Sequence, residues 1–250
     1  MRITFAGVGE AFDEKLANTS ILAESDSTSI LLDCGFTAAS AFWCAARNPL
    51  KLDALYISHF HGDHYFGIPA LLVRSVEEQR TKPLTILGQP GVESRIKKLM
   101  ELAYSNVMAK AKFDLYFLEC TPGEEIHLGD FKLDFAMSDH SMPCLAIRLN
   151  NAEHSVFYSG DGRPTDATTR LAAGCDLIIH ESFSLEKTVP GHGTVDSSVE
   201  FAKTAGAHTL AMVHVTRTVR HEQEREILAR TKNIDGLKVL LPAQGDYLAL

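Results

Sequence analysis

Within six residues, His59-Phe60-His61-Gly62-Asp63-His64, this chain crowds three imidazoles and a carboxylate. The run just before it, Ala54-Leu55-Tyr56-Ile57, is wholly apolar and reads as a buried strand. Beyond it, Ile68, Leu71, Leu72 and Val76 recur at helical spacing. The fold must therefore deliver a polar cluster on the loop between a core strand and a helix. Packing alone gives no reason to gather four such groups there. In a continuing strand His59, His61 and Asp63 would share one face and His64 would point away. A turn at Gly62 brings all four together. Imidazole nitrogen with carboxylate oxygen suits zinc, and also iron or manganese.

The rest of the chain supplies strands enough to build around that loop. Short β-rich runs are expected at Ile3 to Ala6, Ser20 to Glu24, Ser29 to Asp33 and Leu84 to Leu87, with Ser25-Asp26-Ser27-Thr28 as a hairpin turn. Further strands are expected at 113–118, 131–137, 145–149, 155–159, 176–180, 209–214, 238–241 and 246–250. Helices are expected at Thr37 to Ala46, after Pro90-Gly91, and near 165–172, 195–205 and 222–232. Ser197 and Glu200 have the spacing of a capping box. No linker or short repeat interrupts the 250 residues, so the expectation is one domain, 1–250, with two β-rich halves carrying helices outside.

Composition narrows the function classes. A 45% hydrophobic content can bury a sizeable core and excludes a disordered chain. Runs of 18 uncharged residues are absent, which excludes a spanning helix, and no membrane partner is expected. A net charge of −8 argues against a surface that is electrostatic glove for nucleic acid on all sides. The five cysteines are odd in number, widely spaced and without C-x-x-C, which reads as reduced thiols. With an N-terminus unlike a signal peptide, this gives a cytoplasmic protein as the expectation.

Three more ligand-type residues lie at strand ends: His140 in Met137-Ser138-Asp139-His140, Asp161 in Ser159-Gly160-Asp161-Gly162, and His214 after Leu210-Ala211-Met212-Val213. Side chains at the carboxyl ends of strands can project into a shared cleft.

The stretch from Lys51 to Pro69, with Leu32-Asp33-Cys34-Gly35, Asn18-Thr19-Ser20 and Gly191-His192-Gly193-Thr194, resembles the metallo-β-lactamase-fold hydrolases, and within them the ribonuclease Z-like branch. The resemblance covers nearly the whole chain. It implies an α/β (α+β) fold, an αββα four-layer sandwich, with two divalent metal ions, zinc foremost, between the sheets. It implies His59, His61 and His140 on one metal, Asp63, His64 and His214 on the other, and Asp161 bridging them. Such a pair polarises a phosphoryl oxygen and brings a shared water's pKa toward neutrality, with Asp63 placed to accept its proton. By the same resemblance His192 donates a proton to the leaving oxygen or holds a phosphate charge, and Glu181 orients His192. His180 is open to a supporting or a structural role, and His127, His154, His208 and His221 match nothing in the branch.

Two departures bear on substrate. Ribonuclease Z typically carries an arm that grips transfer RNA, whereas here Leu145 to Leu149 leads through Asn150-Asn151-Ala152-Glu153-His154 into Ser155 to Ser159, a hairpin turn. The branch's Arg-Tyr pair after the last ligand is also absent from His214-Val215-Thr216-Arg217-Thr218-Val219. Three functions stay open. The first is a phosphodiesterase on small or cyclic phosphodiesters or RNA ends, with true 3′ transfer-RNA processing as its variant. The second is a carboxylic or sulfate ester or lactone hydrolase on the same scaffold. The third is a metal-binding protein without turnover. A homodimer is compatible with each, and in the first a partner copy can supply the basic surface that this chain lacks.

Overall fold

A computed structural model describes residues 1–250. The first half alternates strand and helix. The elements are β1 (Arg2–Gly7), β2 (Ser20–Glu24), β3 (Ser29–Leu32), α1 (Ala38–Ala45), β4 (Ala54–Ile57), α2 (Gly62–Tyr65), α3 (Ile68–Glu77), β5 (Leu84–Gly88), α4 (Val92–Tyr104) and β6 (Leu115–Glu119). The second half follows with β7 (Glu125–Leu128), β8 (Phe131–Met137), β9 (Leu145–Asn150), β10 (Ser155–Tyr158), α5 (Asp166–Ala172), β11 (Leu177–Glu181), α6 (Val195–Thr204), β12 (Thr209–Val213), α7 (Arg217–Glu222), α8 (Glu224–Thr231), β13 (Lys238–Leu240) and β14 (Tyr247–Ala249). One sheet runs β14-β1-β2-β3-β4-β5-β6 and the other β13-β12-β11-β10-β9-β8-β7.

Side-chain alternation decides the layers. In β4, Ala54 and Tyr56 enter the core between the sheets, while Leu55 and Ile57 face the helices. The central core joins Phe5, Ile21 and Tyr56 of the first sheet to Phe135, Ile147 and Tyr158 of the second. Tyr56 stacks on Phe135 at 5.8 Å, and its hydroxyl donates to the Leu145 carbonyl at 2.9 Å. A second core packs α1, α3 and α4 onto the outside of the first sheet, and a third packs α5, α6 and α8 onto the second. The result is the expected αββα sandwich. No helix is long and apolar enough to cross a membrane.

Three local expectations are corrected. The strand β7 was not expected, because only Ile126 and Leu128 alternate in a four-residue edge segment of otherwise exposed residues. The cap of α6 sits one turn earlier than Ser197–Glu200: Thr194 Oγ1 accepts the Ser197 N–H, and Ser197 Oγ accepts the Thr194 N–H. The helix expected near 222–232 is α8, but a short helix that the pattern does not predict, α7, precedes it and meets it at Gln223. The missed α7 is held by polar contacts that leave no apolar period: Arg220 donates to the Pro242 carbonyl at 2.9 Å, and His221 reaches both Asp13 oxygens at 2.9 and 3.0 Å.

Asp13 also shapes its own loop, accepting the N–H groups of Lys15 and Leu16. Burial by itself would raise its pKa, but the His221 hydrogen bond and those backbone donors outweigh burial and hold it below the usual value. A carboxylate depressed in the folded state stabilises above its unfolded pKa, and that stability drains away as pH falls through the folded value. Asp13→Ala is therefore expected to cost about 1–3 kcal/mol in urea unfolding at pH 7, with the gap to wild type shrinking below about pH 4. A gap that stayed constant from pH 7 to pH 3 would remove Asp13 from this role.

Candidate metal centre

The carboxyl ends of β4, β8, β10, β11 and β12 lie along one edge of the sandwich, because β8 and β10 each run antiparallel to β9 and β10, β11 and β12 are mutually parallel. The residues just beyond those ends meet there. His59 Nε2 lies 3.0 Å from His61 Nδ1, which lies 3.2 Å from His140 Nε2. Tetrahedral ligands about 2.1 Å from one zinc stand about 3.4 Å apart, so these nitrogens sit near the edges of one coordination shell. Asp161 joins them, with Oδ2 3.9 Å from His59 Nε2. Its Oδ1 lies 3.3 Å from His64 Nε2 in a second group with Asp63 and His214. There Asp63 Oδ2 is 3.3 Å from both His64 Nε2 and His214 Nε2. All seven expected residues are thus brought together as two clusters sharing Asp161.

Both clusters fit metal ions on one further observation. His64 Nε2 and Asp161 Oδ1 are buried, turned toward one another, and have no hydrogen-bond partner. A buried polar atom left unpaired is costly, and a divalent cation held between such atoms satisfies them. Hydrogen bonds behind the ligands aim them. His64 Nδ1 donates to Asp33 at 2.8 Å and His140 Nδ1 donates to the Gly191 carbonyl at 2.7 Å, which leaves each Nε2 lone pair facing the cleft.

Electrostatics of the ion-free chain follow the same division. Burial, then the neighbouring imidazoles, push His59 and His61 down, toward the neutral form that ligates. In the second cluster burial opposes charge, but the carboxylates prevail: Asp161 and Asp63 push His214 up to about 9, and Asp161 and Asp33 push His64 up. In return, against burial, His214 and His64 hold Asp63 and Asp161 well below the usual carboxylate range.

Asp33 stands directly behind His64, a place that no feature of the sequence assigns to it. Fully buried, it accepts from the Ser58 N–H and hydroxyl at 2.7 Å, from Tyr158 Oη at 2.7 Å and from His64. It sits in the left-handed region at φ +61, as His214 does at φ +53. Non-glycine residues there carry strain, which surrounding structure must hold. The sequence signals are a carboxylate closing the apolar strand Leu31-Leu32 and its place in Leu32-Asp33-Cys34-Gly35, one of the stretches that carry the resemblance. Asp33→Asn, which tolerates this backbone, is expected to weaken metal binding about 10- to 100-fold. Titration of the chelator-stripped protein with zinc checks this; unchanged affinity would confine Asp33 to the fold.

Beside the clusters, Glu181 is fully buried at the end of β11. Its Oε1 accepts the N–H groups of Gly162 and Gly193 at 3.0 and 2.9 Å and faces His192 Nδ1 at 3.2 Å. The His192 ring stacks on Phe183 at 4.5 Å and opens into the same cleft as His61, Asp63, Asp161 and His214. Glu181 and His192 are thus brought together in hydrogen-bonding contact. His180 turns away: its Nδ1 donates to the Glu181 carbonyl and its ring packs on Phe201. His127 and His208 are exposed.

The family model described as Anti-Pycsar protein Apyc1 matches residues 1–229. Among curated proteins, ribonuclease Z of Methanothermobacter thermautotrophicus is 26% identical over 288 aligned positions, covering 94% of this chain and 92% of the relative. Among solved structures, the metallo-β-lactamase-fold protein YhfI from Bacillus subtilis superposes with a TM-score of 0.81 at 23% identity, over 99% of this chain and 98% of that one. Human tRNase Z, short form, gives a TM-score of 0.82 at 20% identity, over 100% and 99%.

Proposed function

This chain belongs to the Anti-Pycsar protein Apyc1 family, and from that premise we propose that it is a two-metal phosphodiesterase acting on small or cyclic phosphodiesters. The observation that carries the reading is the union, in one cleft, of two ligand clusters sharing Asp161 with the Glu181–His192 pair beside them. His59, His61, His140 and Asp161 would hold one ion; Asp63, His64, Asp161 and His214 the other. When bound, two such ions supply Lewis-acid stabilisation of phosphoryl charge and make water a better nucleophile near neutral pH. Asp63, at the cleft wall, takes the proton that the attacking water sheds. His192, with Nδ1 held by Glu181, turns Nε2 to the cleft and gives a proton to the leaving oxygen as its bond to phosphorus breaks.

Small substrates are favoured by the size of the cleft and by the short connection at the opposite edge of the second sheet. Between β9 and β10 only residues 151–154 intervene, where Asn151 Oδ1 accepts the His154 N–H in a tight turn. That leaves no arm. The cleft itself measures about 510 Å³, within the roughly 300–1,000 Å³ of small-molecule sites. Transfer-RNA processing is the second reading, favoured by the identity to ribonuclease Z along most of the chain. A homodimer belongs to either reading. The test of reaction class is turnover by metal-loaded protein of bis-p-nitrophenyl phosphate against p-nitrophenyl acetate. Phosphodiester turnover lost on chelation is expected; turnover of the acetate alone would move the chain to the ester hydrolases.

A further inference from the structure

His214 lacks a support that other ligands in the two clusters have. His59, His64 and His140 each have the ring nitrogen behind the cluster held, by Ser58 Oγ at 3.1 Å, Asp33 Oδ2 at 2.8 Å and the Gly191 carbonyl at 2.7 Å. His214 turns Nε2 toward Asp63 and Asp161 at 3.3 and 3.5 Å, but its Nδ1 is buried and has no hydrogen-bond partner. Hydrogen bonds behind a ligand fix the orientation of its ring. For His214 the backbone must set the ring's place instead. That backbone sits at φ +53, a strained conformation that persists only where its surroundings hold it.

What holds it is a seam between two segments far apart in sequence. The Val8 carbonyl accepts the His214 N–H at 3.0 Å, and Gly9 bridges to Val215 in parallel register. Further along, Glu10 Oε1 accepts from Arg217 Nη1 at 2.6 Å, and both Asp13 oxygens accept from His221 Nε2. Arg217 and His221 stand four apart on α7, so one face of that helix grips the loop. The loop is a firm post. Asn18 donates from its other side to the Glu10 and Ala11 carbonyls, and Glu10 Oε2 accepts the Phe12 N–H. By contrast, α7 has six residues and no side-chain cap at Thr216. Glu10 is 3% exposed, so its carboxylate depends on Arg217 for charge compensation. Loss of that partner opens the seam beside His214.

We infer that the Glu10–Arg217 pair positions His214 for the ion it would hold with Asp63 and His64. This rests on the two-metal reading of the cleft and not on which phosphodiester enters it. Arg217 acts through His214 and is a positioning residue. Its link to Glu10 is one contact from Nη1, so a lysine can supply the same charge.

The test titrates chelator-stripped protein with zinc against a chromophoric chelator. Arg217→Gln and Glu10→Gln should each weaken one of the two ions about 10- to 100-fold, the usual cost of losing support behind a ligand, and leave the other in place. The double variant should lose no more than either single variant, because the two side chains act as one contact. Arg217→Lys should keep most of the affinity. In a His214→Ala background Arg217→Gln should cost nothing further, whereas in a His140→Ala background it should cost the full amount. Unchanged zinc affinity in both glutamine variants, or a loss that adds in full to that of His214→Ala, would overturn the positioning role. So would a raised KM for bis-p-nitrophenyl phosphate at unchanged zinc affinity, which would place Arg217 on the substrate. The expected loss of zinc, in a protein whose wild type turns over no phosphodiester, would sink the phosphodiesterase reading and uphold the seam.

Discussion

His192→Ala is expected to keep its metal ions and lose about a hundred- to ten-thousand-fold in kcat for a small phosphodiester, the usual worth of a positioned acid. The size follows from placement. His192 is outside both ligand clusters that share Asp161, and its Nδ1 is committed to Glu181 while its ring lies on Phe183. Removing the imidazole leaves Glu181 with its Gly162 and Gly193 donors, so the loop keeps its anchor. Steady-state kinetics and elemental analysis on the same preparation read both halves. Unchanged kcat, or metal lost with the imidazole, would contradict the role.

Chelation is expected to have the largest effect on stability. Removing the ions leaves His64 Nε2 and Asp161 Oδ1 buried without partners. Ions that bind only the folded chain stabilise it by mass action, by about 4 kcal/mol for one site at a thousand times its dissociation constant. For a chain of this length each kcal/mol moves Tm by about 2–4 °C, so one filled site is worth about 8–16 °C. Scanning calorimetry with zinc and with chelator checks this, alongside complete loss of turnover. A Tm indifferent to chelator would mean that the clusters are satisfied without ions.

The parts that sequence made legible are those that local pattern encodes. The segments β2 and β4 stand where apolar runs between turns place them, and His59 to His64 announce themselves by crowding. His140, Asp161 and His214 were legible because strand ends share one edge in such a fold. What stayed hidden depends on contacts between distant segments. Asp33 reads as a strand-end carboxylate until Ser58 and Tyr158 close around it. The left-handed backbone of His214 is set by its tertiary surroundings, and no local pattern announces it. Asn18 stands in Asn18-Thr19-Ser20, but its hydrogen bonds to Glu10 and Ala11 on one side and Thr37 on the other exist only once β1, β2 and α1 pack. The last strand, β14, crosses back to pair with β1, a choice that no local period records.

The central claim is a two-metal cleft serving small phosphodiesters without a grip on folded RNA. Most non-specific affinity for RNA comes from phosphate contacts to a basic surface, and this chain has a net charge of −8 and a four-residue turn where an arm would stand. The most direct measurement is the ratio of kcat/KM for a small phosphodiester to that for a precursor transfer RNA, taken with zinc-loaded protein at physiological salt. The account predicts a ratio above one, with RNA binding that weakens steeply as salt rises. A large preference for the precursor, with cleavage at its 3′ boundary, would contradict it and make the chain a transfer-RNA processing enzyme.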